Sequence, residues 1–155
     1  MKLRPVLYGV IALHLALAVL VSLRLRAADN EITVYKTPAC GCCSKWVDHL
    51  KANGFQVTVQ EVESTGQYSR QHGVPDNLRS CHLGVVGDYA IEGHVPAAEI
   101  HRLLKERPQA KGLAVPGMPL GSPGMDIEGG PTQRYSVVLF GTDGKTSVYQ
   151  QYPRN

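Results

Sequence analysis

Three of the four cysteines in this 155-residue chain fall within four positions, Cys40-Gly41-Cys42-Cys43, and the fourth, Cys81, stands apart. Cys40 and Cys43 have the Cys-x-x-Cys spacing of a dithiol redox turn, and Cys42 crowds a third sulfur between them. Disulfide chemistry needs two thiols. Three thiolates within one turn point instead to a soft metal. Four cysteines in an exported domain would ordinarily form two disulfides, with three pairings open. The clustering argues against that reading, because adjacent Cys42 and Cys43 make a poor bond and the cluster has only Cys81 as an outside partner.

Other soft donors are few. Met118 and Met125 are the only methionines beyond the initiator, and each follows a glycine in a Gly/Pro-rich stretch with little core to fill. A thioether suits Cu(I). Structural zinc sites usually draw on two separated cysteine pairs, whereas this chain has a triple and a single. Four thiolates around one monovalent ion would leave a net charge near −3 in a partly buried site, so charge favours more than one Cu(I). Among the histidines, His94 in the turn Glu92-Gly93-His94-Val95-Pro96 is the best ligand candidate. His49 and His101 read as packing or surface residues, and His72 suits a helix C-terminus. His82 adjoins Cys81 in an expected strand, where neighbours face opposite sides, so it is expected to point away from the site.

The elements that must position these residues follow from periodicity. Ile32 to Lys36 is β-branched and aromatic, a short strand. Thr37-Pro38-Ala39 breaks it, and Ser44 to Lys51 carries Trp46, Val47 and Leu50 at the spacing of one helical face. The CGCC turn therefore falls at a helix N-terminus, where unpaired N–H groups favour thiolate. Asn53-Gly54 stops the helix. Phe55 to Val62 alternates strictly, which predicts a half-buried strand and a βαβ crossover. A short polar helix is expected over 64–72, then strands over 81–86 and 89–92 around the turn Gly87-Asp88. Pro96 opens a helix with Ile100, Leu103 and Leu104 on its buried face. Gly112 to Pro131 is so rich in Gly and Pro that no helix or strand is expected there. Two strands, 134–140 and 145–152, close the chain as a hairpin. The order resembles an α/β thioredoxin-like fold with an added Gly/Pro/Met-rich loop and a C-terminal β-hairpin. In that fold the strand after the second helix starts beside the cysteine turn, where a cis-proline is customary; here Cys81 takes the place.

The N-terminus belongs to a different class of signal. Lys2 and Arg4 precede an apolar run from Val6 to Leu23, closed by Arg24-Leu25-Arg26-Ala27-Ala28. This reads as a signal peptide or an N-terminal membrane anchor over 1–28, leaving a single domain over 29–155. As a helix the run would reach roughly 27 Å, close to a bilayer's hydrocarbon thickness. The formal charge of the whole chain is +3. Removing the four basic residues of the segment leaves 16 − 4 = 12 basic against 13 acidic groups, a net of −1. The basic character lies in the targeting segment, and nothing favours nucleic acid.

The strings Thr37-Pro38-Ala39-Cys40-Gly41-Cys42-Cys43, Ser80-Cys81-His82, Glu92-Gly93-His94-Val95-Pro96-Ala97, Gly112 to Pro119 and Gly121-Ser122-Pro123-Gly124-Met125 together resemble the periplasmic copper-resistance family of CopG-type proteins. The resemblance runs from Glu31 onward. It implies a periplasmic, thioredoxin-like protein that binds copper through Cys40, Cys42, Cys43 and Cys81, as a thiolate-bridged centre of more than one ion. Met118, Met125 and His94 would assist. It further implies a role in copper tolerance, interconversion of Cu(I) and Cu(II), and other periplasmic copper-handling proteins as partners. The residues themselves leave two alternatives: a thiol–disulfide oxidoreductase with Cys40 as nucleophile and Cys43 as resolving thiol, and a copper-delivery module without catalysis.

Overall fold

A computed structural model describes residues 30–153 and a short run of exposed helix at Ile11, 13–15 and 17–18. The chain divides into two units, Met1–Asn30 and Glu31–Asn155. The expected targeting segment over 1–28 otherwise lies outside the described residues. Among those that are described, no helix is long and apolar enough to cross a membrane.

The second unit is a mixed α/β domain. In chain order it runs β1 (Glu31–Lys36), α1 (Gly41–Ala52), β2 (Gln56–Glu61), α2 (Gly66–Gln71), a 3-10 turn (Asp76–Leu78), β3 (His82–Val86), β4 (Tyr89–Gly93), α3 (Ala97–Glu106), β5 (Gly112–Val115), β6 (Tyr135–Phe140) and β7 (Thr146–Tyr152). The seven strands form one sheet in the order β2-β1-β3-β4-β5-β6-β7. Two parallel pairs, β1 with β2 and β4 with β5, are each bridged by a helix, as parallel strands require. The remaining pairs are antiparallel.

Alternation along the strands divides the core between the two faces of the sheet. On one face Ile32, Val34, Val86, Ile91, Leu113 and Val115 pack against Trp46, Val47 and Leu50 of α1 and Ile100, Leu103 and Leu104 of α3. On the other, Leu83, Ala90, Ala114 and Phe140 gather with Val74 and Leu78, flanked by Tyr35 stacked on Tyr68 of α2. Gly84 lets α1 approach: a Cβ there would sit 2.8 Å from Ile32 Cδ1 and 3.1 Å from the Trp46 ring. The helix stop holds as read, with Asn53 as C-cap and Gly54 at φ 87°.

Two expectations are corrected. Gly112–Val115 is a fully buried strand within the stretch expected to hold none. Glycine density masked a four-residue apolar run, and pairing on both sides with β4 and β6 overrides local composition. Gly112 belongs to that strand because a Cβ would collide with the Ala90 carbonyl. The strand β2 is not half-buried: it is the sheet's edge, with Val59 39% exposed, and its alternation covers only Val57 in part.

Candidate metal centre

The site is assembled where three connections meet at one end of the sheet. The backbone leaves β1, turns through Thr37-Pro38-Ala39, and enters α1 with Cys40 as N-cap and no side chain capping the first turn. The helix dipole adds partial positive charge beside the sulfurs of that turn. Cys43 is fully buried, and Cys40 and Cys42 are half-buried. Cys81 lies immediately before β3, between the 3-10 turn and the strand.

The four cysteine sulfurs lie within 4.8 Å of one another. Cys40 and Cys43 are joined in a disulfide, while Cys42 and Cys81 are free. Cys42 Sγ is 3.6 Å from Cys40 Sγ, and Cys81 Sγ is 3.5 Å from Cys43 Sγ. Two thiolates sharing one ion at metal–sulfur bonds of about 2.3 Å and a tetrahedral angle stand roughly 3.8 Å apart. The sulfurs are therefore close enough to share ions once the Cys40–Cys43 bond is reduced. Burial pushes the Cys81 thiol up; the Ser80 hydroxyl opposes this, and the neighbouring Cys42 adds to it. A thiol held protonated by its surroundings is a poor nucleophile, but a cation replaces its proton directly.

The Gly/Pro-rich segment after β5 closes over the sulfurs. Met118, at φ 48° and 43% exposed, brings its Sδ to 3.7 Å from Cys81 Sγ. Farther along, Gly124 lies against the first turns of α1, where a Cβ would stand 2.7 Å from the Cys42 carbonyl and 2.9 Å from the Trp46 nitrogen. Its φ of 85° also requires glycine. The Gly124 N–H donates to Asp126 Oδ1 (2.8 Å), and Met125 N–H to the Ser122 carbonyl (2.8 Å). Met125, Cys42, Lys45 and Asp126 border an open hollow of about 360 Å³. The segment is thus an ordered cover, held by its own turns.

Of the histidines, His94 is fully buried, with Nδ1 2.8 Å from the Pro123 carbonyl and Nε2 3.9 Å from Cys81 Sγ. Burial lowers its pKa, and the Pro123 carbonyl opposes the shift. His82 is placed differently from expectation. Its Nδ1 is 3.4 Å from Cys81 Sγ, and its ring lies between Trp46 (4.4 Å) and His94 (4.8 Å, edge-on). The alternation argument fails because Cys81 precedes the strand, so the two residues do not share an extended ladder. Burial, then the neighbouring His94, push the His82 pKa down to about 3 against the pull of the Gly93 carbonyl. His49, His101 and His72 are structural. His49 Nε2 accepts the Ala97 N–H at the start of α3 (3.0 Å), His101 stacks on Phe55, and His72 contacts the Tyr68 carbonyl.

One carboxylate escaped the sequence reading. Glu92, the fourth of the five residues of β4 and fully buried, accepts the Ser80 N–H at 2.6 Å and the Ser69 hydroxyl at 2.9 Å. It thereby ties α2 and the turn before Cys81 to the central sheet. Burial raises its pKa to about 7, against the two hydrogen bonds and Arg79. The signal was an acidic residue inside the apolar run Tyr89-Ala90-Ile91-Glu92-Gly93.

Comparison with known proteins places this geometry. Residues 78–125, which hold Cys81, His82, Glu92, His94 and both methionines, match a family described as proteins of unknown function, DUF411. No curated protein matches the chain. Two solved structures do, Copper resistance protein copG form 2 and form 1. They are 45% and 44% identical to this chain, cover 79% and 80% of it and 98% of their own length, and superpose with a TM-score of 0.75 each.

Proposed function

The chain belongs to the family of CopG copper resistance proteins, and on that premise we propose that it is an exported, periplasmic copper-binding protein acting in copper resistance. The observation that carries the reading is the convergence of four cysteine sulfurs within 4.8 Å, with the Met118 thioether 3.7 Å from Cys81. Soft donors in that number select Cu(I). In the reduced protein Cys40, Cys42, Cys43 and Cys81 hold more than one Cu(I), because several monovalent ions offset the charge that four thiolates would otherwise concentrate in a partly buried site. Met118, Met125 and His94 complete the ligand set. The thioredoxin-like reading of the domain is supported by the order of its first four strands, β2-β1-β3-β4, with the cysteine turn at the start of the first helix.

Interconversion of Cu(I) and Cu(II) balances within such a site. When two Cu(II) ions each accept one electron, the Cys40 and Cys43 thiolates together give up two and close the Cys40–Cys43 bond. The test is an anaerobic Cu(I) titration of the reduced chain with copper-edge X-ray absorption. More than one copper per chain, sulfur scattering and a copper–copper vector are expected, and Cys42→Ser should lower the stoichiometry. Full copper loading in that variant would overturn the reading.

A second reading, thiol–disulfide oxidoreductase, draws on the Cys40–Cys43 disulfide itself. It predicts reduction of an insulin-type disulfide that survives Cys42→Ser and is lost with Cys40→Ser. Inactivity of the unsubstituted chain in that assay removes it.

A further inference from the structure

Beside the four sulfurs lies a set of donors of different chemistry. The ligand atoms of Cys81, His82 and His94 also fall within 4.8 Å of one another. His82 Nδ1 is 3.4 Å and His94 Nε2 3.9 Å from Cys81 Sγ. An ion bound to sulfur at about 2.3 Å and to nitrogen at about 2.0 Å, with a tetrahedral angle, holds the two donors roughly 3.5 Å apart. The two observed separations bracket that value.

Both rings are fixed for such a role. The Pro123 carbonyl can only accept, so at 2.8 Å it places the His94 proton on Nδ1 and leaves the Nε2 lone pair facing Cys81. A backbone carbonyl on the far nitrogen is how metal-bound histidines are oriented. His82 is fully buried and clamped between Trp46 and His94, with its Nδ1 toward Cys81.

We propose that Cys81, His82 and His94 form a second subsite, for a divalent ion of the Cu(II) class, sharing the Cys81 sulfur with the all-sulfur cluster. The proposal rests on the copper reading above and divides its site by donor hardness. Cys40, Cys42, Cys43 and Met118 are the soft side that suits Cu(I), and two imidazoles with one thiolate suit Cu(II). Closing the Cys40–Cys43 bond removes two thiolates from the soft side and leaves the imidazole side whole. The oxidised protein therefore retains a divalent site.

The test uses the full chain with the Cys40–Cys43 bond closed, titrated anaerobically with Co(II), which does not oxidise thiols. One Co(II) per chain is expected, with a sulfur-to-metal charge-transfer band and two hyperfine-shifted, exchangeable imidazole N–H protons in the proton NMR spectrum. His94→Gln and His82→Gln should each remove one of those protons and weaken binding at least tenfold, with near-ultraviolet circular dichroism reporting the fold. No binding, or fewer than two shifted imidazole protons in the unsubstituted chain, overturns the proposal without recourse to a variant. The Cu(I) titration of the reduced chain is a separate measurement. Its failure alone removes the cysteine-cluster reading, and failure of the Co(II) experiment alone removes only the subsite.

Discussion

Glu92 offers the sharpest test of how this domain holds its site. Its carboxyl titrates near 7 in the fold and near 4.5 when unfolded, since burial favours the neutral form. Between those values the folded chain binds more protons than the unfolded one, so stability falls as pH rises. The contribution is fully present below pH 4.5, is lost progressively toward pH 7, and stays constant above that. A difference of about 2.5 pH units corresponds to about 3 kcal/mol. Glu92→Gln is the appropriate perturbation. Its carbonyl accepts the Ser80 N–H, and its amide donates to the Ser69 hydroxyl, which turns to accept. The assay is urea unfolding of the metal-free chain from pH 4 to pH 8, reported as the wild-type free energy minus that of Glu92→Gln. Subtraction removes the opposite pH dependence of the buried histidines. The difference should fall by about 3 kcal/mol between pH 4.5 and 7, leaving the variant the more favoured at pH 8 relative to pH 4. A flat difference would refute the reasoning, because Glu92 would then titrate in the fold as it does in the unfolded chain.

The remaining predictions concern the parts that shape the site. With its pKa depressed to about 3, His82 makes the fold acid-sensitive: the unfolded chain takes up the proton first, so stability drops as pH falls below 6.5. The loss reaches about 5 kcal/mol by pH 3, and it should disappear from the difference between wild type and His82→Gln in the same unfolding series. Gly84→Ala inserts a methyl group against Ile32 and Trp46 and should cost about 1–3 kcal/mol, seen as a lower urea midpoint at unchanged slope. Gly124→Ala meets both a positive φ and backbone atoms of α1. It should lift the cover carrying Pro123 and Met125, weakening Cu(I) affinity in a competition titration while lowering stability by more than about 1 kcal/mol.

Most of the domain's frame was legible because its signals are local. Trp46, Val47 and Leu50 fall at helical spacing, Asn53-Gly54 ends that helix, and Gly87-Asp88 joins two β-rich runs; each outcome depends on residues within one turn of each other. The errors share one cause. Whether Gly112–Val115 becomes a strand depends on β4 and β6, and whether β2 is half-buried depends on its place at the sheet's edge. Neither is written in the segment itself. The site divides in the same way. The gathering of the sulfurs was readable from type and spacing, since three cysteines in four positions must lie together and only Cys81 had to be brought to them. His82 and Glu92 were not, because their significance lies in what stands across from them in space.

That division bears on how the site works. Glu92 grips the Ser80 N–H from β4, Pro123 orients His94 from the covering segment, and Gly124 presses the same segment onto α1. Cys81 therefore stands where the central sheet, the first helix and the cover are all fixed by buried polar or backbone contacts. A loop cysteine would ordinarily be mobile, and its thiolate would meet the other three only part of the time. Here the contacts within about 4 Å that fix its neighbours also fix the distances between sulfurs. On the proposed reading, Cu(I) capture by all four sulfurs then requires loss of protons and of the Cys40–Cys43 bond, with little movement of the chain. It follows that Glu92→Ala, which cuts the tie to Ser80, should slow Cu(I) capture by the reduced protein even with all four cysteines present. Capture at the wild-type rate in stopped-flow competition with a chromophoric chelator would show that Cys81 is held by β3 alone.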